Sequence, residues 1–250
     1  MTRILGVLLA VGLLYGLACL GLYLSQRSLI FYPQPRRFGA PDSVMTIKVD
    51  GEQLLVSARP LAGPDAVLYF GGNAEDVSGS LPGLDLAFPK HALYLLHYRG
   101  YGGSSGKPSE AALFADALAM FDQLHARHAN ITVIGRSLGS GVAVHLASVR
   151  PVQRLVLVTP YDSLAEIAAQ QFKLFPVRLL LTDKFESWRY APLVTAPTTL
   201  IMASHDQVIP RASSQLLLTR FKPGVARAVE IPDSGHNTLS DKGAYISALQ

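Results

Sequence analysis

The sequence predicts an α/β fold, with a mostly parallel central sheet flanked by helices and one long apolar segment ahead of it. Three observations predict it. Short β-rich apolar runs recur along the chain, helical patterns lie between them, and Gly135-Arg136-Ser137-Leu138-Gly139 stands where one such run gives way to a helix. Strands that alternate with helices imply a parallel sheet joined by right-handed crossovers.

The apolar segment comes first. Residues 4–24 of the 250-residue chain carry no charge. A run of roughly 20 such residues is long enough to cross the hydrocarbon core as a helix. A cleaved signal peptide has a shorter apolar region, typically about 7–15 residues, and a small-x-small cleavage site; neither matches cleanly here. A lipoprotein signal at Cys19 is a further alternative, but Leu17 stands where a small residue belongs and the apolar run continues past the cysteine. The expectation is a retained anchor over residues 1–27 and a single domain over 28–250. Arg3 and the N-terminal amine flank one side of the span, and Arg27, Arg36 and Arg37 the other. That asymmetry is too small to set the orientation.

Composition narrows the function classes. Apolar residues make up 49% of the chain and charged residues 16%, so a sizeable core is available. The net charge of +4 is dispersed, without the basic run that nucleic-acid binding would call for. Arg27, Arg36 and Arg37 are placed to meet anionic lipid headgroups. Cys19 is the only cysteine, which rules out a disulfide framework or a cysteine metal cluster.

The elements follow in order. Residues 26–42 carry three prolines and read as a linker. Residues 43–60 read as a hairpin with an Asp50-Gly51 turn. Apolar runs at 66–70, 92–98, 131–135, 154–159, 198–203 and 226–231 read as strands covered on both faces. The clearest helix spans 109–128, opened by Ser109, with Phe114, Leu118, Phe121 and Leu124 on one face. Another opens at Pro210 and runs through Phe221. Residues 160–194 interrupt the rhythm with Phe172, Phe175, Leu179, Leu180, Phe185 and Trp188 around Pro176. They read as a small helical, cap-like insertion after the sixth strand, over the carboxyl edge of the sheet; an ordinary crossover helix and loop is the plainer alternative.

Gly135 to Gly139 is a G-x-S-x-G elbow in a strand–turn–helix setting. Such a turn lifts the Ser137 hydroxyl above the sheet edge, side chains at 135 or 139 would collide with the adjoining strand and helix, and the helix N-terminus turns its positive dipole end toward a developing oxyanion. A tight turn with Ser137 as a plain helix cap is the competing reading. A serine nucleophile needs a base. His236, in Asp233-Ser234-Gly235-His236-Asn237, follows the last strand and reaches the same edge. His97 and His205 also stand at that edge, His91 stands at the opposite one, and His125, His128 and His145 fall in helices. An imidazole base needs an orienting carboxylate. Asp206 follows the next-to-last strand and is the candidate; Asp162 is its rival, and Asp183 a weaker one. Leu138 supplies one oxyanion N–H. Asn73, in Phe70-Gly71-Gly72-Asn73-Ala74-Glu75, supplies the second, or else simply caps a glycine-rich turn.

Tyr98-Arg99-Gly100-Tyr101-Gly102-Gly103-Ser104-Ser105-Gly106-Lys107 fails the phosphate-loop test, because Tyr101 stands where the first glycine belongs and Pro108 follows the lysine. It reads as a structural loop at the rim of the site.

Together, Gly71-Gly72-Asn73-Ala74-Glu75, Tyr98-Arg99-Gly100-Tyr101-Gly102-x-Ser104, Gly135-Arg136-Ser137-Leu138-Gly139 and Ser234-Gly235-His236-Asn237 resemble the motif series of the α/β-hydrolase superfamily, most nearly its membrane-anchored ABHD-type branch. The order Ser137, Asp206, His236 is that superfamily's order. The resemblance implies an α/β-hydrolase fold over roughly 29–250. It also implies hydrolysis of carboxylic esters or thioesters by Ser137, His236 and Asp206, without metal or organic cofactor. The expected partners are a small-molecule or lipid-like acyl substrate and a membrane, met through residues 4–24. A peptidase of the same fold, or a non-catalytic membrane-tethered binding protein, is the alternative. Gly71 stands where this branch often has histidine, and His97 where it often has aspartate or asparagine.

Overall fold

The computed structural model describes residues 2–40 and 43–250. The N-terminal amine and the last two residues of the 26–42 stretch lie outside the described residues. The first element is helix α1 (Thr2–Ile30), followed by β1 (Val44–Val49), β2 (Glu52–Arg59), β3 (Asp65–Phe70), α2 (Leu81–Ala87), β4 (Ala92–Leu96), α3 (Glu110–His125), β5 (Asn130–Arg136) and α4 (Leu138–Val149). Then come β6 (Arg154–Val158), α5 (Leu164–Gln171), α6 (Val177–Leu180), α7 (Ser187–Tyr190), β7 (Thr198–Ala203), α8 (Arg211–Leu218), β8 (Ala226–Ile231) and α9 (Gly243–Leu249).

The eight strands form one sheet in the order β1-β2-β4-β3-β5-β6-β7-β8. β1 pairs antiparallel with β2, and β2 antiparallel with β4; every later pairing is parallel. The hairpin turn places Asp50 and Gly51 both at positive φ, as a two-residue turn between twisted strands requires. After β3 the chain moves outward to β4 and then returns to the other side of β3 to form β5. That reversal opens a crevice at the carboxyl ends of β3 and β5, the usual ligand position in open α/β sheets.

Alternation along the strands builds two cores. Ala66, Leu68 and Phe70 of β3 face one side with Leu113, Ala117 and Phe121 of α3 and Val142 and Leu146 of α4. Val67 and Tyr69 face the other with Leu84 of α2 and Tyr245 and Leu249 of α9. Each fully buried large aliphatic or aromatic side chain contributes about 1.5–3 kcal/mol. β8 departs from the expectation of two covered faces: it is the sheet edge, and Arg227, Ala228 and Glu230 are exposed. α3 stops at His125, short of the expected 128, because His128 leaves the helix to bond the Gly63 carbonyl (2.8 Å) and the Tyr94 hydroxyl (3.0 Å). Its buried face runs through Leu113, Ala117, Met120, Phe121 and Leu124, with Phe114 and Leu118 at its margin.

The largest departure is at the start of the chain. The stretch read as a linker from residue 26 is helical through Ile30, and its end is fastened to the domain. Gln26 is buried; its amide donates to Leu180 O (3.2 Å), and its Oε1 accepts from the Thr182 backbone N–H (2.7 Å) and hydroxyl (2.9 Å). Phe31 belongs to the core. Arg27, expected to face lipid headgroups, instead donates to Asp183 (2.8 Å), and Arg36 donates to the carbonyl of Phe38 (3.1 Å). Helix propagation past the apolar run follows from these partners and from the lack of a proline before Pro33.

His97 is buried between β2 and the 98–106 loop, with Nε2 2.8 Å from Ser57 Oγ. Burial, with Arg36 adding repulsion against the attraction of Asp76, pushes its pKa down from 6.5 to about 4. The unfolded chain binds this proton at a pH where the folded one does not. Stability is therefore unaffected above about pH 6.5 and falls by up to about 3 kcal/mol as pH drops toward 4. His97→Gln is expected to flatten that slope between pH 4 and 6.5 in thermal unfolding of the purified protein; an unchanged slope would contradict the assignment.

Candidate active site

Ser137 joins β5 to α4 at φ 49°, ψ −116°, a conformation that non-glycine residues seldom adopt. Its N–H donates to Val158 O (2.9 Å), which fixes the turn against β6. The flanking glycines are required by contact. A Cβ at Gly135 would stand 2.3 Å from Gly139 O, and one at Gly139 would stand 2.1 Å from Phe70 O. The turn therefore exists only because α4 lies directly on the ends of β5 and β3.

Ser137, His236 and Asp206 meet at this edge. His236 Nε2 is 3.1 Å from Ser137 Oγ, and His236 Nδ1 is 2.9 and 3.1 Å from the two Asp206 oxygens. Ser137 and His236 are both buried. Burial raises the Asp206 pKa, but the His236 ring and the N–H groups of Ile209 and Val208 outweigh it and hold the carboxylate below its ordinary value. The carboxylate beside Nδ1 orients the ring so that Nε2 points at the Ser137 hydroxyl.

The competing residues are engaged elsewhere. Asp162 accepts from Arg220 (3.1 Å), and Asp183 pairs with Arg27 while also accepting the Glu110 N–H (2.8 Å). His205 is exposed and bonds Ser204 (2.9 Å), and His97 bonds Ser57. His145 stacks on Phe114 with ring centroids 3.9 Å apart.

Asn73 and Leu138 line the same cavity as Ser137. Among the described residues, neither backbone N–H has a hydrogen-bond partner. The neighbouring Gly72 N–H is taken by Glu75 (2.8 Å), whereas the Asn73 N–H remains free at the cavity. The loop is held from several sides. The Tyr98 hydroxyl donates to Gly71 O (2.9 Å), the Tyr101 hydroxyl to Asn73 O (2.7 Å), and the Asn73 side-chain amide to Ile30 O at the end of α1 (3.1 Å). The 98–107 loop is thus a brace for the 71–75 loop. Its glycines 100, 102, 103 and 106 all have positive φ.

Two functional positions were not singled out from sequence. Arg136, the variable residue before Ser137, donates to Glu75 (3.0 Å), to His236 O (3.3 Å) and to Asn237 Oδ1 (3.2 Å). Glu75 in turn accepts from Tyr69 (2.7 Å) and Ser80 (2.6 Å). Burial would raise its pKa, but Arg136 and the Gly72, Ser80 and Tyr69 donors hold the carboxyl below the ordinary range. One guanidinium thereby ties the 71–75 loop to the loop that carries His236. The available signal was a pair of opposite charges inside two otherwise neutral glycine motifs.

A family model described as the alpha/beta hydrolase fold matches residues 66–185. An uncharacterised protein of Mycobacterium tuberculosis is 34% identical over a 273-residue alignment, covering 99% of this chain and 94% of that protein. The alpha/beta hydrolase domain-containing protein aho-3 of Caenorhabditis elegans is 32% identical over 77% of this chain and 58% of its own length. The chain belongs to the α/β-hydrolase superfamily. The mouse alpha/beta hydrolase domain-containing protein 10 shares the superfamily's fold with it at a TM-score of 0.68 and 17% identity, over 83% of this chain and 95% of that one. Est1E of Butyrivibrio proteoclasticus, solved with ferulic acid bound, matches with a TM-score of 0.67 at 16% identity, over 82% and 96%.

In this α/β-hydrolase, Gly139→Ala is expected to lower stability by about 1–3 kcal/mol through overpacking. Denaturant midpoints measure the effect, and a midpoint equal to that of the native chain would show that α4 can move off β3 without cost.

Proposed function

We propose that the chain is a membrane-anchored serine hydrolase that cleaves carboxylic esters or thioesters through an acyl-enzyme. The reading rests on one observation above the rest: a continuous run of hydrogen bonds from Asp206 through His236 to a strained, buried Ser137 that lines an apolar cavity.

In the proposed reaction the substrate carbonyl sits between Ser137 Oγ and the amides of Leu138 and Asn73. His236 Nε2 takes the hydroxyl proton as Oγ attacks the acyl carbon. Asp206 orients the imidazole and stabilises its cationic form. The Leu138 and Asn73 N–H groups, already fixed in place, hold the oxyanion without reorganising. The alcohol or thiol leaves with the proton that His236 took. Water, deprotonated by the same nitrogen, then releases the acid and restores Ser137. Arg136 acts as a positioning residue that keeps base and oxyanion loops in register.

Residues 160–194 act as a cap over this site, and α1 as the anchor. An 18-residue window of α1 has a mean hydropathy of 2.4, and none of that window is buried against the protein. Such a surface is stable in an apolar surrounding. The fastened residues Gln26 and Phe31 favour retention of α1 over its removal as a signal.

Ser137→Ala is expected to lower hydrolysis of p-nitrophenyl butyrate by roughly 10³-fold or more and to abolish labelling by a fluorophosphonate. Turnover that persists undiminished would remove Ser137 from the reaction. Asp206→Asn should preserve the fold, shown by an unchanged Tm, while kcat drops roughly 10³–10⁴-fold. Full activity in this variant would transfer the orienting role to another group.

A further inference from the structure

The cavity above Ser137, about 240 Å³, is not walled by the hydrolase body alone. Ser137 and Leu138 line it together with Ile167, Phe172 and Phe175 of the 160–194 segment, and α1 adds Leu22, Tyr23 and Leu29. The lining is predominantly apolar, which suits a hydrocarbon chain.

The position of the cap relative to α1 adds a second observation. The Tyr15 hydroxyl donates to Leu174 O (2.9 Å), and the Tyr15 ring stacks on Phe175 with centroids 5.8 Å apart. Tyr15 lies in the middle of the apolar run 4–24, about 13 Å along the helix from its end at a rise of ~1.5 Å per residue. If that run occupies a hydrocarbon layer ~30 Å thick, residues 172–175 lie inside the layer with it. Leu174 is 83% and Leu179 85% exposed, beside a helix whose own apolar side chains are exposed, and the exposed Lys173 and Arg178 among them carry long stems that let their charged heads reach toward the headgroups. In water, a patch of this kind would be a liability. The third observation is the bond from Asn73 to Ile30 O, which fixes the end of α1 beside the oxyanion loop.

We infer that α1 is a wall of the substrate site as well as an anchor, and that the substrate is a long acyl chain resident in the bilayer, which passes between α1 and residues 172–181 to bring its ester or thioester to Ser137. The inference rests on the hydrolase reading above. The chemistry needs only water: the acyl carbon passes to Ser137 Oγ as its bond to oxygen or sulfur breaks, and water then yields the carboxylic acid. Leu22 and Tyr23 are the residues that read chain length, because they face the cavity from the helix.

The test uses the full chain in phosphatidylcholine vesicles, with p-nitrophenyl butyrate and p-nitrophenyl palmitate as paired substrates. Leu22→Trp narrows the cavity, and Tyr23→Ala widens it. Leu24→Trp places the same bulk on a neighbouring position that is 73% exposed and outside the lining. The palmitate-to-butyrate ratio of kcat/KM should fall by about tenfold in Leu22→Trp and rise in Tyr23→Ala. It should stay within about twofold of the native value in Leu24→Trp. A ratio unmoved by either lining change, or moved equally by Leu24→Trp, overturns the inference. Release of fatty acid from the vesicle phosphatidylcholine itself, or from an S-palmitoylated cysteinyl peptide in the same vesicles, identifies glycerolipid or protein-linked chains as the source. Hydrolysis of neither, with butyrate still turned over, also overturns it. Should the native chain hydrolyse no ester at all, the hydrolase reading fails, and a phosphatidylcholine bearing a photoreactive acyl chain decides the route separately. Crosslinks at both 22–30 and 172–181 support it, and crosslinks confined to residues 4–21 refute it.

Discussion

The site depends on how closely α4 approaches the end of β3. The Cα of Gly139 packs against the Phe70 carbonyl so tightly that a methyl group there would overlap it. That approach forces Ser137 into its left-handed turn and brings the Leu138 amide beside the loop that carries Asn73. The strain costs of order 1–3 kcal/mol and persists only because its surroundings over-determine it. They do so here through the Ser137 bond to β6, the two tyrosine hydroxyls on the 71–73 backbone and the Arg136 bracket.

Around that contact the molecule combines the sheet scaffold with two elements that reach over its carboxyl edge. The eight-stranded sheet, the elbow and the base-bearing loop are common property of the superfamily, and on their own they say little about substrate. Beside them stand α1 and the 160–194 segment, which touch each other and both line the cavity. They also carry large exposed apolar residues, Leu174 and Leu179 among them. On the proposed hydrolase reading, these two elements supply much of the cavity wall that would shape specificity.

Much of this was legible in the sequence for physical reasons. Strand and helix periods identified every strand of the sheet, since each is a short apolar run bounded by turn residues. The spacing of Gly135, Ser137 and Gly139 carries its own steric argument. The positions of Asp206 and His236 after consecutive strands placed both at one edge, where the structure brings them to Ser137. What was not legible is tertiary. Nothing local in residues 26–31 shows that Gln26 will be buried against Thr182, because its partners lie more than 150 residues away. The roles of Glu75 and Arg136 were hidden inside motifs whose glycines attracted attention first. His128 left the helix for contacts with Gly63 and Tyr94 that no helical period encodes. The exposure of β8 follows from its place at the edge, which strand composition alone does not reveal.

The end of α1 has one more consequence. Phe31 fills part of the core, and the carbonyl of Ile30 anchors Asn73. A protease that cut within residues 26–31 would therefore not leave the rest of the fold undisturbed. It would withdraw an aromatic plug from the core and slacken the loop that carries Asn73, so that losing α1 and loosening the site become a single event.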